Sequence, residues 1–149
     1  MRDPQTHEMI ESRKVAVTLT SRIDGDESVN TYPGEYAFRD DTHLITYTDY
    51  AGNGINRNGI QANESAMLLH RVGEFEGDML FDPKMDTVVK YTAGGLVQTG
   101  FILHTEEYGI VLNESQVEIH IRYVLFDGFG EDAIHGEQQI KANWEIEEG

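Results

Sequence analysis

A chain of 149 residues, 39% hydrophobic and 9% aromatic, is long enough for one domain with a proper core and too apolar to be read as disordered. Its formal charge of -16, from 11 basic against 27 acidic residues, has the wrong sign for nucleic acid or an anionic membrane surface and reads as a solvated, self-repelling exterior. The absence of cysteine removes disulfides, thiolate metal sites and thiol nucleophiles together, and makes a reducing cytoplasm the expected compartment.

The opening residues MRDPQTHEMIES are polar, with no leader-like apolar stretch, and residues 1–12 are expected to be disordered or loosely attached. No apolar run approaches the roughly 18 residues of a membrane-spanning helix. From Val15 onward the pattern has period two. Val15, Val17, Leu19 and Ile23 alternate with polar residues as a half-buried strand does, and DGDES, 24–28, reads as a turn. A second strand carries Tyr36 and Phe38, with Pro33–Gly34 as a bend. HLITYTDY, 43–50, suits a pleated sheet, and AGNGINRNG, 51–59, reads as a loop whose Asn-Gly pairs serve turns.

Strands are then expected over Ile60–Asn63, Met67–Phe75, Met79–Phe81 and Thr87–Thr92, with turns near Glu76–Gly77–Asp78 and at DPKMD, and a hairpin at Gly94–Gly95. LVQTGFILHTE, GIVLNE, QVEIHIRYVLF and QQIKANWEI complete the series, with a loop at DGFGEDAIHG. No helix is indicated. About ten short strands with regular turn signals predict an all-β, single-domain protein over 1–149. The expected form is an antiparallel up-and-down β-barrel of eight to ten strands, closed so that its edges vanish. Such a barrel is either filled by side chains or holds one small ligand.

Alternation assigns faces. Met67, Leu69, Arg71, Gly73 and Phe75 form the better interior face of their strand, with Met79 and Phe81 joining them after the turn. Val117, Ile119, Ile121, Tyr123 and Leu125 face inward, as do Tyr91 and, on the neighbouring strand, Thr99, Phe101, Leu103 and Thr105. An apolar interior with a sparse polar set follows: Arg71, Tyr91, Tyr123, Thr99 and Thr105. A guanidinium there needs an answering group. It pairs with an internal carboxylate, Asp49 or Glu35, or stacks on a tyrosine near the barrel mouth, or else binds the carboxylate or phosphate of an amphipathic ligand, for which the arginine fork is suited.

The spacing of Gly34 and Tyr36, the Tyr47 strand, Arg71-Val72-Gly73, Met79 with Phe81, Tyr91 followed by Gly95, and Thr105 resembles the YwiB-like bacterial family over about Lys14 to Ile146. The resemblance implies a calycin-type, lipocalin-like barrel with a ligand cavity, and no established activity. The chain departs from that pattern at Asn58, where the family often has threonine, and at Asp82-Pro83-Lys84-Met85, where it has a simpler turn.

No nucleophile elbow, zinc-protease helix or phosphate-binding loop motif is present, and the Asp/Glu pairs are too many to single out an acid and a base. The six histidines lack ligand spacing; His70, His104 and His120 are expected outside the barrel. The acidic turns do not follow a calcium-loop pattern. The sequence therefore predicts no enzyme, no metal and no cofactor. It predicts a cytosolic barrel that binds a small amphipathic or apolar molecule with Arg71, Tyr91, Tyr123, Thr99, Thr105 and Phe101. The alternative is a filled barrel acting as an interaction or dimerisation module, a homodimer included. Large inward residues, Phe81, Phe101, Tyr123 and Trp144, decide between the two.

Overall fold

The computed structural model describes residues 10–50, 54–73, 75–93, 96–126 and 133–144, with the side chains of 10–11, 75, 90–93 and 96–100 excepted. Ten strands run in chain order: β1 (Ile10–Ile23), β2 (Asp26–Arg39), β3 (Thr42–Asp49), β4 (Asn56–Ala62), β5 (Met67–Val72), β6 (Phe75–Phe81), β7 (Thr87–Ala93), β8 (Leu96–Leu112), β9 (Gln116–Phe126) and β10 (Ala133–Asn143). Each pairs antiparallel with its neighbour in sequence, and β10 pairs with β1 to close the barrel. The expected up-and-down, calycin-type architecture is what the chain forms. Among the described residues no helix is long and apolar enough to cross a membrane.

Local chemistry places the turns. The β1–β2 connection is two residues, Asp24 and Gly25, both at positive φ (49° and 92°), the mirror-image turn that matches strand twist and that Asp-Gly favours. Asp40 and Asp41, also at positive φ, do the same between β2 and β3. The β4–β5 and β6–β7 connections, at the same end as Asp40–Asp41, use asparagine and aspartate as local acceptors: Asn63 Oδ1 takes the amides of Ser65 and Ala66, and Asp82 Oδ1 takes that of Lys84. We call the end where β1, β3, β5, β7 and β9 finish the upper end and the other the lower end.

Several boundaries differ from expectation, each for a readable reason. β2 begins at Asp26, because Asp24–Gly25 alone completes the turn. β4 begins at Asn56, inside the expected loop, and Asn58–Gly59 lies within a strand rather than a turn. β6 begins at Phe75, so that Gly77 pairs in the sheet instead of turning it. The two segments expected over 96–106 and 109–114 are one strand, β8, whose register against β9 shifts between Thr105 and Glu107. This bulge puts Leu103 and Thr105 inside before it, with both glutamates exposed at it, and mimics a turn in the sequence. β10 begins at Ala133, within the expected loop. Residues 1–9 and the Gly94–Gly95 pair lie outside the described residues, and β1 starts at Ile10.

The core fills the barrel body. Val17, Tyr36, Ile45, Ile60, Met67, Phe81, Leu103, Val117, Ile119, Ile121 and Ile140 are all almost wholly buried. They come from nine of the ten strands and occupy the inward positions of the alternation. The face assignment made from period two is the observed one on β5: Met67 is buried and Leu69 and Arg71 are half-buried, while His70 and Val72 are exposed.

Candidate functional site

Arg71 sits on the inner wall near the upper end. It faces Asn58 on β4 and Gly77 on β6, and Asn58 in turn faces Tyr47 on β3. Gly77, rather than the expected Gly73, is thus the side-chain-free neighbour of Arg71; Gly73 lies in the turn beyond β5 at φ 142°. The last residue of β3, Asp49, answers the guanidinium. Arg71 Nη2 donates to both Asp49 oxygens at 3.1 Å. This is one nitrogen spanning two oxygens, not the two-nitrogen fork.

The carboxylate is itself held by the strand between Asp49 and Arg71, β4. Asn56 Nδ2 donates to Asp49 Oδ1 at 3.0 Å, and Asn58 Nδ2 to Oδ2 at 2.9 Å. Burial is graded across the group: the Asp49 side chain is 9% exposed and that of Arg71 32%. The cluster is therefore a pre-ordered ion pair whose cationic member reaches the mouth. Tyr47 lies in the same row and stacks on Tyr32, with ring centroids 5.5 Å apart and planes within 19°. Burial, and then the Asp49 charge, push the Tyr47 hydroxyl well above its ordinary range, so it stays a neutral donor.

The other expected site residues are distributed differently. Tyr123 is buried and meets Phe81 edge-on, with centroids 5.4 Å apart; its ring lies over Gly136, where a Cβ would come within 2.3 Å of Tyr123 Cζ. Burial raises the Tyr123 hydroxyl pKa, with Asp24 adding to the rise. Thr105 is buried opposite Tyr123 on β8, and its hydroxyl has no hydrogen-bond partner among the described residues. Phe101 is half-buried against the core. Tyr91 and Thr99 have described backbones, and Tyr91 faces Gly77 in register; their side chains lie outside the described set. Of the two carboxylates that sequence suggested for Arg71, Asp49 is the partner, while Glu35 faces outward and accepts from Ser12 Oγ at 2.7 Å.

Asn56 and Asn58 were not anticipated. Their signal was the alternation Asn56, Asn58, Ile60, Ala62, every second residue buried, masked by the turn preference of Asn and Gly.

At the lower end aromatic rings cluster. Arg13 lies over Trp144 at 5.0 Å, Trp144 stacks on Tyr36 at 5.1 Å, and Tyr36 stacks on His43. The Tyr36 hydroxyl and His43 Nδ1 are 2.8 Å apart. Burial raises Tyr36 to about 12 and lowers His43. His70 and His104 are exposed, each against an aspartate, Asp78 and Asp86.

Comparison with known proteins agrees with this architecture. The crystal structure of the ywiB protein from Bacillus subtilis superposes with a TM-score of 0.79 over 93% of this chain and 96% of that one, at 18% identity. No curated protein matches the chain. A family model described as a domain of unknown function (DUF1934) matches residues 15–140. The chain belongs to that family.

Proposed function

We propose that this protein is a non-catalytic binding protein for a small amphipathic anion, and that the anionic head docks at the upper mouth on Arg71. One observation carries the reading. The Arg71 side chain is a third exposed, though its Nε is buried, while the carboxylate that orients it is nearly buried and pinned by two asparagines. A cation fixed in this way before a ligand arrives costs little further ordering on binding. Tyr32 and Tyr47 offer stacked rings beside it for the apolar portion. The packed body leaves that portion at the mouth rather than deep in the barrel. The cysteine-free composition suits a cytosolic setting.

A second reading, a filled barrel serving as an interaction or homodimerisation module, is favoured by the same packing, because Phe81 and Tyr123 meet across the interior. Fluorescence titration with 1-anilinonaphthalene-8-sulfonate, an aromatic sulfonate, separates the two. The mouth-binding reading expects saturable binding that Arg71→Gln weakens about ten-fold or more, the scale of a charge-assisted contact. Binding indifferent to Arg71→Gln removes the anchor. No binding, with no small molecule in solvent extracts of the purified protein, leaves the interaction module.

A further inference from the structure

The outer wall carries a second polar groove, on the outer face of the strands that form the mouth, and Tyr47 and Asn58 border it too. A groove of about 560 Å³ crosses β1 to β5 and is lined by Lys14, Glu35, Thr46, Thr48, Arg57 and His70, among others. These side chains belong to the outward set; Lys14 faces Glu35, Glu35 faces Thr46, Thr46 faces Gly59, and Gly59 faces His70 in one row across the sheet. The depression follows from the sequence. Gly59 has no side chain, and Pro33–Gly34 draws β2 close to β3. A Cβ on Gly34 would sit 2.3 Å from the Thr46 carbonyl oxygen, so only glycine lets the strands approach there.

The charge at this place runs against that of the chain. Two of the 11 lysines and arginines, in a protein of charge -16, stand on opposite banks. Three strand spacings, about 14 Å, separate their strands, and Arg57 stands two residues along β4 from Gly59, the β4 member of the row through Lys14. Neither Lys14 nor Arg57 has a carboxylate partner among the described residues. Arg13, Arg39, Lys84 and Lys141 share that state, whereas Arg22 pairs with Glu27 and Glu137, Arg71 with Asp49, and Arg122 with Glu106 and Glu107; what sets Lys14 and Arg57 apart is that they line one groove. His70 is held through Nδ1 by Asp78 on the far side, which turns its other ring nitrogen away from that carboxylate. Thr46 and Thr48 are among the lining residues and carry hydroxyls.

We infer that this groove binds a small phosphate monoester carrying hydroxyl groups, with Lys14 and Arg57 closing on the phosphate. A dianion with three acceptor oxygens uses both cations and the threonine hydroxyls. Glu35, which accepts from Ser12, has acceptor capacity left for a ligand hydroxyl. The volume falls within the ordinary range for small-molecule sites. A long polyanion is repelled by the acidic remainder of the surface, whereas a small one keeps its charge inside the groove.

Calorimetric titration of the full chain with ribose 5-phosphate tests this, with ribose as the uncharged control. Saturable binding is expected for the ester and none for ribose. The double replacement Lys14→Gln/Arg57→Gln is expected to weaken binding about ten-fold or more. Arg22→Gln, a cation lost elsewhere on the wall, is expected to change it less than two-fold, by screening alone. All three replaced side chains are exposed, so folding is not at stake. No binding of the ester, equal binding of ribose, or equal weakening by Arg22→Gln and the double replacement overturns the proposal.

Discussion

One nitrogen of Arg71 lies 3.1 Å from each oxygen of Asp49, and the two residues meet from strands β5 and β3 across β4. The pair joins the inner wall, and its two members are unequally buried. Removing the cation therefore strands a nearly buried carboxylate, whereas removing the carboxylate leaves a cation that still touches water. Arg71→Met is expected to destabilise the fold by about 2–3 kcal/mol at neutral pH, below the range for a fully buried pair because Arg71 is partly hydrated. Asp49→Asn should cost less. The double variant should recover part of the loss, and a denaturant-based double-mutant cycle reads the coupling.

Gly136 and Tyr123 make a second such relationship. The tyrosine ring fills the space that a β-carbon on residue 136 would occupy, down to 2.3 Å. Gly136→Ala is thus expected to cost about 1–3 kcal/mol through overpacking. Tyr123→Leu in the same chain should return some of it. Urea midpoints of the two single variants and the double variant check the coupling.

The lower end should respond to acid through His43. Its pKa is lowered by burial, so the unfolded chain takes up a proton more readily than the folded one. Stability from this group is complete above the unfolded value of about 6.5 and is lost as pH falls below it, until the folded histidine also protonates. Thermal midpoints from pH 7.5 to 5 should fall more steeply for the wild type than for His43→Asn. Parallel slopes would mean the buried ring does not govern this window.

The sequence made the fold legible because inward positions are apolar on nearly every strand. Val117 to Leu125 and Met67 to Arg71 could be assigned to a face by counting alone, and the cation on the second of these faces identified a place where the interior turns polar. What stayed hidden was polar by the same logic. Asn56 and Asn58 occupy core positions for the sake of their amide donors to Asp49, yet carry the composition of a turn. Glu106 and Glu107 look like a loop because a bulge lets both stay exposed. The outer groove had no sequence signal, since Lys14 and Arg57 come to one face only through the register of four successive strands, β1 to β4.

The apolar body of the barrel is occupied by its own side chains, and within the barrel an amphipathic ligand is expected to reach only the polar mouth. An amide chemical-shift map of the full chain saturated with 1-anilinonaphthalene-8-sulfonate measures this most directly. The largest shifts are expected at Tyr47, Asp49, Asn56, Asn58 and Arg71, with Ile119 and Ile121 unmoved. Shifts centred on Met67, Ile119 and Ile121 would place the ligand in the barrel body and contradict it.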